Sequence, residues 1–178
     1  LYNGCQTILA DECNAGNKIV YRMAPDTANL TINDSINIYD GSKYYGGPKV
    51  QKIFWCYTDS SISKKNTIAT TAWHNLQTSR NYFATKAIDY KAPLKALVHF
   101  PESPFDPFGN EVFWDQKLKH FGFGSGDDTI MTAPVSIDIV AHEYAHAILF
   151  NKFSMGNHIT HDTATLRYQA GAIHEGVA

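Results

Sequence analysis

Residues 137–150 read IDIVAHEYAHAILF, and this stretch decides how the rest of the chain is interpreted. His142 and His146 stand four positions apart, and Glu143 directly follows the first of them. Most of the surrounding residues are good helix formers, and Ser136 is a suitable N-cap. The stretch therefore predicts a helix of about four turns that begins near Ser136.

The spacing of the two histidines is typical of a zinc site. Side chains four residues apart lie on one face of a helix, so both imidazoles can reach the same metal ion. Glu143 is rotated off that face, which suits it to take a proton from a water molecule held by the metal. The alternative is a helix whose histidines make only structural hydrogen bonds. The small and apolar neighbours favour the metal, because a buried polar triplet needs a partner.

A catalytic zinc ion usually has three protein ligands and leaves one place for water. One known pattern has a glycine three residues after the second histidine and a histidine three residues later. Leu149 and Lys152 occupy those positions, which excludes it. Glu175, in AGAIHEGVA, fits a class in which a glutamate from a later helix completes the site, and we favour it. The other candidates for the third ligand are His158, His161 and His174.

The composition narrows the class of protein. A chain of 178 residues corresponds to one domain, or to one lobe of a larger protein. Charged residues make up 18%, which is below the usual quarter and favours a secreted protein. The net charge is −2, no cluster of basic residues stands out, and no apolar run is long enough for a transmembrane helix. We therefore expect neither nucleic acid nor a membrane among its partners.

The remaining segments predict a mixture of strands and helices. Residues 1–60 contain β-branched and aromatic runs separated by Gly, Asn, Asp and Pro, which indicates a β-rich region. Residues 66–90 predict a helix. LKALVHF at 94–100 predicts a strand, VFW at 112–114 a short edge strand, and HFGFGSGDD at 120–128 a loop. The apolar stripe of the helix at 66–90 would comprise Ile68, Ala72, Trp73, Leu76, Tyr82 and Phe83.

The chain has three cysteines, Cys5, Cys13 and Cys56. In an oxidising compartment they would form one disulfide and leave one thiol, and the alternative is three reduced thiols. None of them stands in a CxxC pattern or near the histidine pair, which argues against a cysteine-based metal or redox site.

Taken with its context, SIDIVAHEYAHAI resembles the thermolysin-like neutral zinc metalloproteases (gluzincins, HExxH…E), with the fungalysin-like proteases as the next branch. LKALVHF, NEVFWDQKLKHFGFGSGDD and GAIHEGVA resemble further segments of this family in the same order. The resemblance implies an α+β fold. Residues 1–150 would form a β-rich N-terminal domain that ends in the HExxH helix. Residues 151–178 would form an insertion loop and the first helix of a C-terminal helical lobe, most of which the chain would lack. It also implies a Cys13–Cys56 disulfide.

The resemblance further implies a secreted zinc metalloendopeptidase. His142, His146 and Glu175 would bind zinc, and the zinc would polarise the scissile carbonyl and hold a water molecule. Glu143 would take the proton of this water and pass it to the leaving amine. The protein would act on peptide or protein substrates as a monomer, after removal of a signal peptide and a pro-segment. The alternative is a catalytically inactive, metalloprotease-like binding module.

Two further roles are implied by the resemblance alone. Asp138 stands four residues before the first histidine, where many family members have a calcium ligand. Val112 would lie in the edge strand that binds the substrate backbone by strand addition. Glu111 occupies the position of a substrate-binding asparagine of the family, and Asn110 is one residue away. We therefore expect residues 110–112 to contact substrate.

Overall fold

A computed structural model describes residues 10–15, 18–23, 36–42, 51–52, 64–88, 90, 92–101, 109–127, 133–153 and 175–176 of the chain. Within these ranges the chain forms seven strands and two helices. In chain order they are β1 (Ala10–Ala15), β2 (Lys18–Met23), β3 (Ile36–Asp40), β4 (Gln51–Lys52), α1 (Lys64–Thr85), β5 (Leu94–Val98), β6 (Val112–Asp115), β7 (His120–Phe123) and α2 (Ile137–Phe153).

The strands form two sheets, which agrees with the predicted α+β fold. β1 and β2 make an antiparallel hairpin. The other five strands are ordered β4-β3-β5-β7-β6, with β3, β5 and β7 parallel to one another and the two outer strands antiparallel to their neighbours. Parallel neighbours have their carboxyl ends at the same edge of a sheet, so the segments that follow β5 and β7 lie side by side. β6 is an edge strand, as the sequence predicts.

One face of the five-stranded sheet packs against both helices. The ring of Tyr144 on α2 stacks on Phe121 of β7, with centroids 6.3 Å apart and an interplanar angle of 12°. It also lies 5.5 Å from the ring of Phe83 on α1. Val140 and Ala147 are fully buried beside it. This apolar face fixes α2 on the sheet and therefore fixes where its polar residues lie. Among the described residues, no helix is both long and apolar enough to cross a membrane.

The apolar stripe of α1 differs from the prediction at one position. Ala72, Trp73 and Leu76 are buried, but Tyr82 is 58% exposed. Seven residues make about two helical turns and return to the same face, whereas six do not, so Phe83 rather than Tyr82 continues the stripe from Leu76. Tyr82 lies on the surface, where the Lys86 ammonium sits 5.5 Å from the centre of its ring.

The predicted loop at 120–128 is wrong in its first half, because His120–Phe123 is the buried strand β7. Gly122 pairs with Phe113 of β6. A Cβ atom at Gly122 would lie 2.3 Å from the ring of Phe113, so the glycine makes room for an aromatic side chain that covers it. A glycine inside a strand can mark such a close approach, and here it does not begin a loop.

Candidate metal centre

α2 begins where the sequence predicts. The amide of Val140 donates a hydrogen bond to the carbonyl of Ser136 at 3.0 Å, which is the first backbone bond of the helix. Because Val140 and Tyr144 face the sheet, His142, Glu143 and His146 lie around the rest of the helix circumference. Glu143 and His146 are nonetheless buried, each 7% exposed, because neighbouring segments flank α2 on these sides.

Three ligand atoms converge beside α2. Nε2 of His142 lies 3.0 Å from Nε2 of His146, and the two rings are inclined at 79°. Oε2 of Glu175 lies 3.3 Å from the His142 nitrogen and 3.5 Å from the His146 nitrogen. The side chain of His146 is 8% exposed, whereas those of His142 and Glu175 are 38% and 66% exposed. The three atoms therefore form a nearly equilateral triangle with one side open to solvent.

The size of this triangle fits a zinc ion. Zinc binds nitrogen and oxygen at about 2.0–2.2 Å, so two ligands of a tetrahedral site lie about 3.3–3.6 Å apart. The two edges that join Glu175 to the histidines, 3.3 and 3.5 Å, match this separation, and the edge between the histidines, 3.0 Å, is slightly shorter. Two imidazoles and one carboxylate are also a donor set of catalytic zinc sites, which leave a fourth position for water. Both the chemistry and the spacing of the donors fit the ion.

Glu143 belongs to the same cluster, but it is held differently. Its carboxylate and the ring nitrogens of His142 and His146 offer ligand atoms that all lie within 4.8 Å of one another. The amide of Trp114, in β6, donates a hydrogen bond to the Glu143 carboxylate. Burial raises the pKa of Glu143, and the charge of Glu175 also raises it, whereas His142 and the Trp114 amide lower it. A buried carboxylate with a raised pKa, next to three potential metal ligands, is suited to accept a proton.

Comparison of the sequence with known protein families points to the same chemistry as this geometry. The family model described as "Thermolysin metallopeptidase, catalytic domain" matches residues 12–149. This is well over half of the chain. The chain belongs to the thermolysin metallopeptidase family. The predicted family resemblance is therefore confirmed, and the His-Glu-His cluster of α2 is consistent with the zinc chemistry that the resemblance implies.

A solved structure shows the same fold. It is the precursor of protealysin, a metalloproteinase from Serratia proteamaculans, with a TM-score of 0.56 and 22% sequence identity over 83% of this chain. The likeness covers 42% of the protealysin precursor chain, so the present chain spans less than half the length of that relative. No curated protein sequence matches the chain.

The three predicted substrate-contacting residues lie together at the start of β6. The side-chain Nδ2 of Asn110 donates a hydrogen bond to the Asp127 carboxylate at 3.3 Å. Glu111 is exposed, and Val112 is partly buried against the core. They are followed by Trp114, whose amide bonds to Glu143. Residues 110–112 therefore lie directly before the part of β6 that contacts Glu143, and the Asn110 side chain bonds to the loop that carries Asp127.

Asp138 has a local role in the structure. It is exposed in the first turn of α2, and the Ser136 hydroxyl donates a hydrogen bond that lowers the pKa of its carboxyl. Within the described residues it joins no cluster of three potential metal ligands, so the calcium prediction gains no support. Two other predictions concern parts of the chain that the structure does not describe: the Cys13–Cys56 disulfide, of which only the backbone of Cys13 is described, and the alternative ligands His158, His161 and His174.

No sequence pattern indicates the hydrogen-bond partner of Glu143. That partner is a backbone amide, at Trp114, and every residue other than proline carries one. Only the prediction of an edge strand at VFW pointed towards this region. The same holds for Asp127, which lies in the predicted loop at 120–128 and accepts a hydrogen bond from the Asn110 side chain. Contacts between distant segments depend on the sheet order, which the spacing of residues within one segment does not reveal.

Proposed function

We propose that the protein is a zinc-dependent endopeptidase in which His142, His146 and Glu175 hold the metal and Glu143 is the general base. The observation that carries this proposal is the triangle of ligand atoms, with edges of 3.0, 3.3 and 3.5 Å, next to a buried carboxylate. Membership of the thermolysin metallopeptidase family supports the reaction class.

Different residues of the site have different roles in peptide hydrolysis. Zinc, when bound, supplies a Lewis acid that makes a water molecule more acidic. The Glu143 carboxylate accepts a proton from this water and delivers it to the amine that leaves. The Trp114 amide keeps the carboxylate oriented while it does so. Because burial raises the pKa of Glu143, its carboxyl binds a proton more readily than an exposed one and can pass the same proton on.

The edge strand β6 is suited to hold the substrate. The outer edge of an edge strand carries unpaired amides and carbonyls, which pair with an extended peptide. β6 pairs with β7 on its inner side, and no described strand covers its outer side. A peptide on this edge would pass Trp114 and hence Glu143. We therefore infer that the substrate binds as an extended peptide or an unfolded protein segment.

We also infer that the protein acts outside the cell. The low content of charged residues, 18%, supports this inference, and so does the resemblance to secreted proteases. Separating the culture medium from the producing cells and probing each for the protein tests it. Retention of the protein inside intact cells would argue against secretion without affecting the proposed reaction.

The decisive experiment compares metal content with hydrolysis. The wild-type protein should contain about one zinc ion per molecule and should cleave casein or a labelled peptide. Glu143→Gln should keep its zinc and lose about 10²- to 10⁴-fold in rate, because only the general base is removed. His146→Ala should lose both zinc and hydrolysis. His74→Ala, on α1, is the matched histidine control and should change neither.

Two results would contradict the proposal. Absence of zinc from the purified wild-type protein would refute the metal centre. Undiminished hydrolysis by Glu143→Gln would refute the role of this residue. Zinc binding without hydrolysis would instead favour a binding module. The start of β6 suits a binding module. Glu111 stands where the family has a substrate-binding asparagine, and the side-chain amide of Asn110 is already bonded to Asp127.

A further inference from the structure

Two loops at one edge of the sheet are joined by a pair of side chains. His99 directly follows β5, and Ser125 lies two residues beyond the end of β7. Nδ1 of His99 and the Ser125 hydroxyl lie 2.9 Å apart and share a hydrogen bond. The backbone of His99 has φ of 57°, in the left-handed region that residues with a Cβ atom adopt only rarely. The chain therefore adopts an unfavourable conformation at the residue that makes this contact.

The Ser125 loop is bonded in turn to the segment before β6. Three hydrogen bonds connect residues 124–127 with residues 109–111: Gly124 N to Glu111 O at 3.0 Å, Gly126 N to Gly109 O at 3.2 Å, and Asn110 Nδ2 to Asp127 Oδ2 at 3.3 Å. The two backbones are too close for a side chain to fit between them, because a Cβ atom at Gly124 would lie 1.7 Å from the carbonyl oxygen of Gly109. The two segments therefore hold each other in a fixed position.

We propose that His99, Ser125, Asp127 and Asn110 form a brace that positions the start of β6 for substrate binding. The chain of contacts runs from the carboxyl end of β5, through the Ser125 loop, to residues 109–111. These residues lead directly into the strand whose Trp114 amide bonds to Glu143. This inference rests on the proposed function, because it assigns to β6 the task of binding an extended peptide.

The brace residues act through the strand and not on the reacting atoms, so they are positioning residues. Backbone pairing with β6 holds the substrate equally in the ground state and in the transition state. An interaction of that kind affects KM and leaves kcat largely unchanged. Glu143 and the two histidines are held by α2, and Trp114 is held by its pairing with Phe121 of β7, so loosening the segment before β6 should spare both the metal and the chemical step.

The test uses matched pairs of variants in the whole protein. Ser125→Ala removes the hydroxyl, whereas Ser125→Thr keeps it. His99→Ala removes the ring, whereas His99→Asn keeps a polar side-chain atom near the position of Nδ1 and tolerates the left-handed backbone. Loss of one hydrogen bond should raise KM for an extended peptide by about 5- to 10-fold, with kcat within about twofold and zinc content unchanged. The threonine and asparagine variants should restore KM.

Two further outcomes decide the proposal. An unchanged KM in Ser125→Ala would overturn it, and so would a parallel loss of kcat, zinc and thermal stability that threonine does not restore. Amide hydrogen exchange provides a measure that does not depend on hydrolysis. Exchange over residues 109–112 should accelerate in Ser125→Ala while Trp114 and α2 stay protected, and unchanged exchange would refute the brace. If the wild-type protein cleaves no peptide, the proposed function fails, and the exchange measurement still tests the brace.

Discussion

His120 is a buried titratable residue outside the metal centre. It lies on β7 with 7% of its surface exposed, and its ring centre is 6.0 Å from that of Phe113. Burial lowers the pKa of His120, since a charged imidazole would lose its hydration, and Lys95 also lowers it, while Asp115 partly raises it. The folded protein therefore binds a proton at this site less readily than the unfolded chain, in which a histidine has a pKa of about 6.5.

This difference predicts a loss of stability in mild acid. As the pH decreases, the unfolded chain binds a proton at this histidine before the folded protein does. This proton binding favours the unfolded chain. The free energy of unfolding should therefore be fully retained above about pH 6.5 and should fall as the pH decreases below it. His120→Leu, which has no titrating group, should show a smaller fall between about pH 7 and pH 5 in urea unfolding. An equal fall in the two proteins would show that other groups cause the acid sensitivity.

At the scale of elements, the end of α1 is a Schellman motif with an unusual residue. The amide of Ile88 bonds to the carbonyl of Phe83 at 3.1 Å, and the amide of Ala87 to that of Ala84 at 3.0 Å. Ala87 has φ of 56°, a left-handed conformation that usually requires glycine. Lys152 of α2 donates a hydrogen bond to the Ala87 carbonyl at 3.1 Å. A side chain of α2 thus provides a hydrogen-bond donor for a backbone carbonyl at the end of α1.

Ala87→Gly should therefore stabilise the protein. Glycine removes the steric cost of the left-handed backbone, which is about 1–2 kcal/mol, and its greater freedom in the unfolded chain cancels part of that gain. We expect a net increase of about 0.5–1 kcal/mol in the free energy of unfolding, measured by urea titration. Ala84→Gly, in the last turn of α1, is the matched control and should lower it by about 1 kcal/mol. Destabilisation by both substitutions would contradict the reading of Ala87.

At the scale of the whole molecule, the features that local sequence patterns determine are the ones that could be predicted. The helix start at Ser136 and the shared face of His142 and His146 follow from spacing within one segment. Features that depend on a residue distant in sequence could not be predicted. Gly122 suggested a loop, but the ring of Phe113, from the neighbouring strand, occupies the space that its missing Cβ leaves. The Trp114 amide is likewise brought to Glu143 by strand order, which the sequence of α2 does not encode.

The metal centre also connects distant parts of the chain, which predicts that metal removal lowers stability. Glu175 lies far along the chain from His142, and its side chain is 66% exposed, so a shared ion would tie its segment to α2. An ion that binds only the folded state adds about 4 kcal/mol to the free energy of unfolding when its free concentration is about 1,000 times Kd. A chelator should therefore lower the unfolding midpoint of the wild-type protein and leave that of His146→Ala unchanged. Equal effects on both proteins would mean that the ion binds elsewhere, and that the three-atom triangle is not its site.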